Sequence, residues 1–111
     1  MSKYRWIYTT WPDADLAKAA AETLIGEQLC ACANILPGMT SVYRWQGAVE
    51  MASETVMIIK TTAQKAAVMI DRLGKLHPYE EPCMVGLDID ADASSPSFLA
   101  WMERGLDGTS G

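Results

Sequence analysis

The residues of this chain that could do chemistry are concentrated in one short segment, His77 to Pro82. The segment holds the only histidine, two of the five prolines, a tyrosine and two adjacent glutamates. Pro78 restricts His77 to extended backbone conformations, so the apolar-periodic helix before it is predicted to end there. An imidazole, a phenol and carboxylates together at a helix end could form a binding or proton-transfer site. They could equally form a rigid helix-to-strand connection.

His77 and Cys32 are the candidate metal ligands, because imidazole and thiolate donors suit copper and zinc. A lone histidine cannot complete a closed metal site within one chain, so such a site would need symmetry-related copies. The alternative for His77 is a hydrogen bond at the helix end. Cys30 and Cys32 would share one strand face and could bind Cu(I), although buried cysteines, Cys83 included, more often only fill a core.

A second candidate site combines aromatic and charged residues: Tyr43, Trp45, Glu54, Lys60 and Tyr79. Glu54 and Lys60 are an even number of residues apart on one predicted strand, so they share a face. With the aromatic rings nearby, these charges would suit a small polar ligand in a cleft between subunits. The alternative is an intersubunit salt bridge surrounded by interface aromatics.

The acidic run after the last predicted strand begins like a calcium-binding loop, with Asp88, Asp90 and Asp92 at alternate positions. Ala93 follows where a glycine is needed, and Leu99 takes the position of the bidentate glutamate. We therefore expect solvated carboxylates at a strand end rather than a calcium site.

Composition and missing motifs exclude several functions. The net charge of −5 and the pI of about 4.7 argue against nucleic-acid binding, which needs clustered lysine and arginine. No phosphate-binding loop is present. With one histidine, general-base catalysis would have to use His77 with Tyr79 or Glu80. A non-enzymatic protein is the main prediction, and an enzyme using His77 is an alternative.

The length and composition of the chain predict a single domain over residues 1–111, with an ordered core at about 4–104 and a tail at 105–111. Half of the residues are hydrophobic, which is typical of a packed globular core. No signal peptide and no membrane-spanning helix are predicted. The odd number of cysteines, three, and the lack of a C-x-x-C motif indicate reduced thiols and a cytoplasmic location.

The elements that position these residues follow from periodicity and capping signals. Strands are predicted at Tyr4–Thr10, Cys30–Leu36, Thr40–Trp45, Val49–Thr61 and Cys83–Ile89, and helices after Asp13, before His77 and after Ser95. Pro37-Gly38 is predicted to stop the second strand, and Gln46-Gly47 to form a hairpin turn. The order β-α-β-β-α-β with a C-terminal helix predicts an α+β, ferredoxin-like sandwich.

The long hairpin, roughly Thr40 to Thr61, would overshoot a sheet of this size. Its aromatic and aliphatic residues would then form an exposed edge prone to aggregation. Packing of sheets between subunits in a closed oligomer would remove that exposure.

Four ordered stretches resemble the CutA family, the divalent-cation tolerance proteins. They are Leu29–Pro37, Ser41–Gly47, Glu54–Thr62 and His77–Pro82, followed by Phe98-Leu99-Ala100-Trp101 in the closing helix. The resemblance covers about residues 4–104. It implies a ferredoxin-like subunit in a compact homotrimer, similar to PII signalling proteins, which bind small ligands between subunits. It also implies a link to copper and divalent-metal tolerance without a firmly attached enzymatic activity.

Two departures bear on copper: Thr9 and Leu76 stand where some members of that family carry a cysteine and a second histidine. The main hypothesis is a cytoplasmic homotrimer that binds copper, another divalent metal or a small ligand in intersubunit clefts. It would act in metal response or signalling through a population shift of the loop around Tyr79. The other alternative is a scaffold trimer whose clefts are only packing seams.

Overall fold

Residues 1–107 are described by a computed structural model of the chain. It contains four strands, β1 (Tyr4–Trp11), β2 (Cys32–Trp45), β3 (Ala48–Thr62) and β4 (Met84–Asp88), and three helices, α1 (Ala14–Gly26), α2 (Ala63–Leu76) and α3 (Pro96–Leu106). A 3₁₀ turn, Ala91–Ala93, precedes α3. The strands form one antiparallel sheet in the order β2-β3-β1-β4. This is the predicted α+β, ferredoxin-like arrangement.

The helix boundaries follow the predicted caps. The Asp13 side chain accepts a hydrogen bond from the Leu16 amide, and the Thr62 hydroxyl accepts one from Lys65. Ser95 caps α3 directly before Pro96. The last helix ends at Leu106, whose buried side chain extends the ordered core two residues past its predicted limit at 104. The rest of the predicted tail, 108–111, lies outside the described residues.

One face of the sheet is covered by α1 and α2, which form the main core. Its buried members are Ile7, Trp11, Ala17, Ala20, Ala21, Leu24, Cys30, Met57, Ile59, Met69 and Leu73. On the opposite face α3 covers only one end, through Leu99 and Met102 against Tyr4. Tyr4 and Ile7 are three residues apart on β1, which is why they face opposite sides. No helix of residues 1–107 covers the remainder of this second face, here called the open face, on which Trp6, Val85 and Leu87 are exposed.

The β2–β3 hairpin extends well beyond the rest of the sheet, as predicted. β1 pairs with β3 only as far as Thr55, so residues 48–54 pair with β2 alone. Seven residues correspond to roughly 23 Å of overhang, and the molecule is accordingly 47 Å long. The two-residue turn has positive φ at both Gln46 and Gly47, 50° and 82°, as a type I′ turn requires.

Two strand predictions were wrong in their limits. Pro37-Gly38 does not stop β2 but lies in a β-bulge between Leu36 and Met39, after which pairing with β3 resumes. Gly38, at a φ of 83°, allows the bend. Cys30 lies before β2 rather than within it, so the predicted strand face shared with Cys32 does not form.

Candidate functional site

The end of α2 positions the loop that holds the histidine. His77 is the C-cap, with an extended backbone (φ −79°, ψ 137°), and its amide donates to the Leu73 carbonyl at 2.9 Å. Pro78 forces this extended conformation, as the sequence predicted. The chain therefore leaves the helix sharply and carries Tyr79 to Glu81 across the base of the long hairpin.

Both ring nitrogens of His77 are engaged within the fold. Nε2 lies 2.7 Å from the Thr10 carbonyl oxygen, and Nδ1 lies 3.1 Å from the Tyr79 amide nitrogen. An amide can only donate and a carbonyl can only accept, so Nδ1 is the acceptor and the ring proton is on Nε2. The ring is 7% exposed and lies between the rings of Trp11 and Tyr79, at centroid distances of 4.2 and 4.9 Å. The histidine therefore joins β1 to the Tyr79 loop.

This arrangement does not suit the predicted roles of His77 as metal ligand or general base. Either role needs a free nitrogen lone pair, and the only one is occupied by the Tyr79 amide. Cys32 is also far from His77. Cys32 pairs with Lys60, and Lys60 pairs with Trp6, whereas His77 contacts Thr10, four residues or about 13 Å further along β1. Among residues 1–107 no three histidine, cysteine, aspartate or glutamate side chains cluster closely enough to hold a metal ion. The residues of one described chain thus do not fit a copper site.

The cysteine thiols are also poorly suited to metal binding. Burial raises the pKa of Cys30 from 9.0 to about 12, with a further contribution from Cys32 nearby. Burial likewise raises the pKa of Cys32, although the Lys60 charge opposes it. Because the thiolate is the metal-binding form, both shifts weaken these cysteines as ligands at neutral pH.

The pKa of Cys30 predicts a loss of stability in alkaline solution. Between pH 8 and pH 10 the unfolded chain ionises this thiol and the folded chain does not, so the free energy of unfolding should fall by about 1.5 kcal/mol from this group. Chemical denaturation at both pH values would measure it. Cys30→Ala should show a pH dependence smaller by that amount. Equal pH dependence in wild type and Cys30→Ala would contradict the assignment.

A cleft of about 780 Å³ opens between the Tyr79 loop and the hairpin. It is lined by Thr10, Tyr43, Trp45, Ala52, Glu54, Pro78, Tyr79, Glu80, Glu81 and Cys83. Four of the five predicted site residues, Tyr43, Trp45, Glu54 and Tyr79, are thus brought to one cleft. Burial, and then the Glu54 carboxylate beside it, raise the pKa of the Tyr79 phenol. The phenol is therefore a neutral hydrogen-bond donor at physiological pH.

Lys60 does not join that cleft within one chain. Its ammonium group donates to the Asn34 side chain at 2.7 Å and lies 5.8 Å from the Trp6 ring and 5.7 Å from the Phe98 ring. Six residues of strand separate it from Glu54, about 20 Å, although the two share a face as predicted. A Glu54–Lys60 contact could therefore arise only between subunits.

Two contributions to the site were not predicted from the sequence. The backbone carbonyl of Thr10 holds the histidine ring, and Cys83 lies in the cleft wall rather than in β4. Glu80 and Glu81, which the sequence placed with His77 and Tyr79 in one candidate segment, also line the cleft. The acidic run is structural in part, since Asp88 forms a 2.6 Å ion pair with Arg5 and Asp90 caps the 3₁₀ turn.

Comparison with known proteins identifies close relatives over almost the whole chain. Residues 5–105 match the family described as CutA1 divalent ion tolerance protein. The divalent-cation tolerance protein CutA of Thermus thermophilus is 38% identical over 98 residues, 88% of this chain and 93% of the relative. That of Salmonella newport is 36% identical over 100 residues, 90% and 85% of the two chains. The crystal structure of CutA from Xylella fastidiosa superimposes with a TM-score of 0.90 at 36% identity, covering 96% of this chain and all of the other.

Proposed function

This chain belongs to the CutA1 family of divalent ion tolerance proteins, and we propose that it acts in the cytoplasm as a homotrimer that binds a small ligand in clefts between subunits. The protein would then take part in the response to copper or another divalent metal, or in signalling, without a metal site whose ligands are His77 and Cys32. The free thiols support a cytoplasmic location, because reduced cysteines are typical of that compartment.

The observation that carries the proposed trimer is the exposed apolar surface on the open face. Trp6 is paired in register with Leu87, and Val85 lies two residues away on the same face of β4. These side chains are 39%, 48% and 54% exposed, and Leu36 on β2 is 58% exposed. Several exposed apolar side chains on one face of a sheet are typical of a protein–protein interface. Covering it with the sheets of two further copies would also bury the overhanging hairpin.

The cleft between the hairpin and the Tyr79 loop supports the proposed ligand binding. It combines a half-buried carboxylate, Glu54, with the rings of Tyr43, Trp45 and Tyr79, and such mixed walls are typical of small-molecule sites. It lies between the hairpin and the loop after α2, so a ligand there would contact both segments. Ligand binding would thereby shift the population of Tyr79 loop conformations.

Native mass spectrometry of untagged protein, purified without chelator, tests this proposal. We expect a trimer that takes up three equivalents of a small ligand when titrated with Cu²⁺, Zn²⁺, nucleotides and a panel of metabolites. A stable folded monomer at micromolar concentration would overturn the trimer. A trimer that stays empty throughout would favour a scaffold whose clefts are packing seams. If the protein retains one metal ion per chain and both His77→Ala and Cys32→Ser lose it, those two residues are metal ligands after all and this part of the proposal is wrong.

A further inference from the structure

We propose that the loop after α2 carries an acid-sensitive latch, in which protonation of His77 releases the backbone of Tyr79. The inference goes beyond the proposed function and does not depend on a ligand. It starts from the way the loop, residues 78–83, is held. Within residues 1–107 no backbone–backbone hydrogen bond joins this loop to the rest of the chain. Pro78 and Pro82 have no amide hydrogen to donate. The backbone of the loop is held instead by the Tyr79 amide, which donates to Nδ1 of His77 at 3.1 Å.

The acceptor of this hydrogen bond changes its character with pH. In the neutral ring the proton is on Nε2, which donates to the Thr10 carbonyl at 2.7 Å, and the lone pair of Nδ1 accepts from Tyr79. Histidine is the side chain that ordinarily takes up a proton from solvent between pH 8 and pH 5, and the imidazolium donates from both nitrogens. The added proton must go to Nδ1, where one donor would then face another. The bond to Tyr79 is thereby lost, while the bond to Thr10 is kept.

The charged ring stays in place, so the change is confined to the loop. The Trp11 ring lies 4.2 Å from the imidazole, centroid to centroid, and a cation is attracted to an aromatic face. The bond from Nε2 to Thr10 becomes charge-assisted and therefore stronger. These contacts lie within one chain, in which His77 is already buried. Packing of further copies on the open face would therefore leave them unchanged.

The pH range distinguishes the histidine from the other titratable groups near the loop. The residues that contact its ring or its amide from β1 and α2 are Thr10, Trp11 and Leu73, and none of them titrates in this range. Burial, and then the Glu54 carboxylate, raise the pKa of the Tyr79 phenol, which therefore stays neutral. The other charged or titratable side chains of the loop and its neighbouring elements are Tyr43, Glu54, Lys75, Glu80, Glu81 and Cys83. Carboxyl groups ordinarily titrate about two pH units below histidine, and thiols, phenols and ammonium groups about two units or more above it.

The released segment is one wall of the cleft, since Pro78, Tyr79, Glu80 and Glu81 all line it. Acidification would therefore loosen the same loop whose population a ligand is proposed to shift. The latch would make the shape of the cleft depend on pH through a residue that does not itself line it.

Amide hydrogen exchange of the intact protein, followed by NMR at several pH values between 8 and 5, tests the latch. Each observed rate is compared with the intrinsic rate at that pH, which removes the ordinary pH dependence of exchange. We expect the protection of the Tyr79 amide to fall about tenfold as the ¹⁵N signals of the ring report protonation of His77. The His77 amide, which donates to the Leu73 carbonyl at 2.9 Å, is the internal control and should keep its protection.

His77→Asn is the matched variant, because a carboxamide oxygen can accept from the Tyr79 amide and does not titrate. Its Tyr79 protection should be the same at pH 8 and pH 5. Constant protection in wild type, or a ring that stays neutral to pH 5, would overturn the latch. An equal fall in His77→Asn would assign the effect to another group, and a parallel fall at the His77 amide would indicate melting of the helix end. None of these results bears on the trimer or on ligand uptake, which native mass spectrometry tests separately.

Discussion

Val85→Glu should abolish assembly and lower the melting temperature by about 15 °C or more. Val85 is 54% exposed in the single chain; it lies on the edge strand β4, paired with Tyr8, and shares the apolar open face with Trp6 and Leu87. If three copies pack there, the substitution places three carboxylates in an apolar interface. Burying an unpaired charge costs several kcal/mol, and about 4 °C or more of melting temperature is lost per kcal/mol in a domain of this size.

Val68→Glu is the matched control for that substitution. Val68 is 59% exposed on α2, which covers the other face of the sheet, so the same change in charge and size is made outside the proposed interface. We expect Val68→Glu to remain trimeric and to melt within a few degrees of wild type. Light scattering and thermal denaturation at several protein concentrations would measure both. If Val85→Glu is also a trimer of wild-type stability, the open face is not the interface.

Local sequence signals predicted the parts of this fold that depend on neighbouring residues. Asp13, Ser95 and the His77-Pro78 pair marked helix ends correctly because capping and proline sterics act within a few residues. The Gln46-Gly47 turn was predicted for the same reason, since positive φ is a local requirement. The overhang of the hairpin followed from comparing strand lengths.

Signals that depend on distant partners were missed or misjudged. Pro37-Gly38 has the local character of a strand end, but continued pairing with β3 carries β2 past it as a bulge. The shared face of Glu54 and Lys60 was predicted correctly. The alternation of side chains along a strand shows which face a residue lies on, but it does not show that two residues on that face are in contact. The fate of His77 was decided by the Thr10 carbonyl, 67 residues away in sequence, which no local pattern shows. The sequence left open a metal or proton-transfer role and a hydrogen bond at the helix end, and the structure shows the hydrogen-bonded ring.

His77→Ala should lower the free energy of unfolding by about 3 kcal/mol. The substitution leaves the buried Thr10 carbonyl without its donor and the Tyr79 amide without its acceptor, at about 1–3 kcal/mol for a buried unsatisfied group. It also removes a ring packed between Trp11 and Tyr79, which adds a cavity cost. Urea denaturation would measure the loss. An alanine variant as stable as wild type would contradict the structural role of the ring.

Two further variants separate the roles of the ring nitrogens. Glutamine can place its amide donor where Nε2 lies and keep the bond to Thr10, whereas asparagine can place its carbonyl oxygen near Nδ1 and keep the bond from the Tyr79 amide. Each should recover about half of the lost stability. Hydrogen exchange of the Tyr79 amide distinguishes them, because it should be protected in His77→Asn and faster by roughly tenfold in His77→Gln and His77→Ala. A metal-ligand role predicts the opposite pattern: Cu²⁺ binding lost in all three variants while Tyr79 exchange and stability stay unchanged.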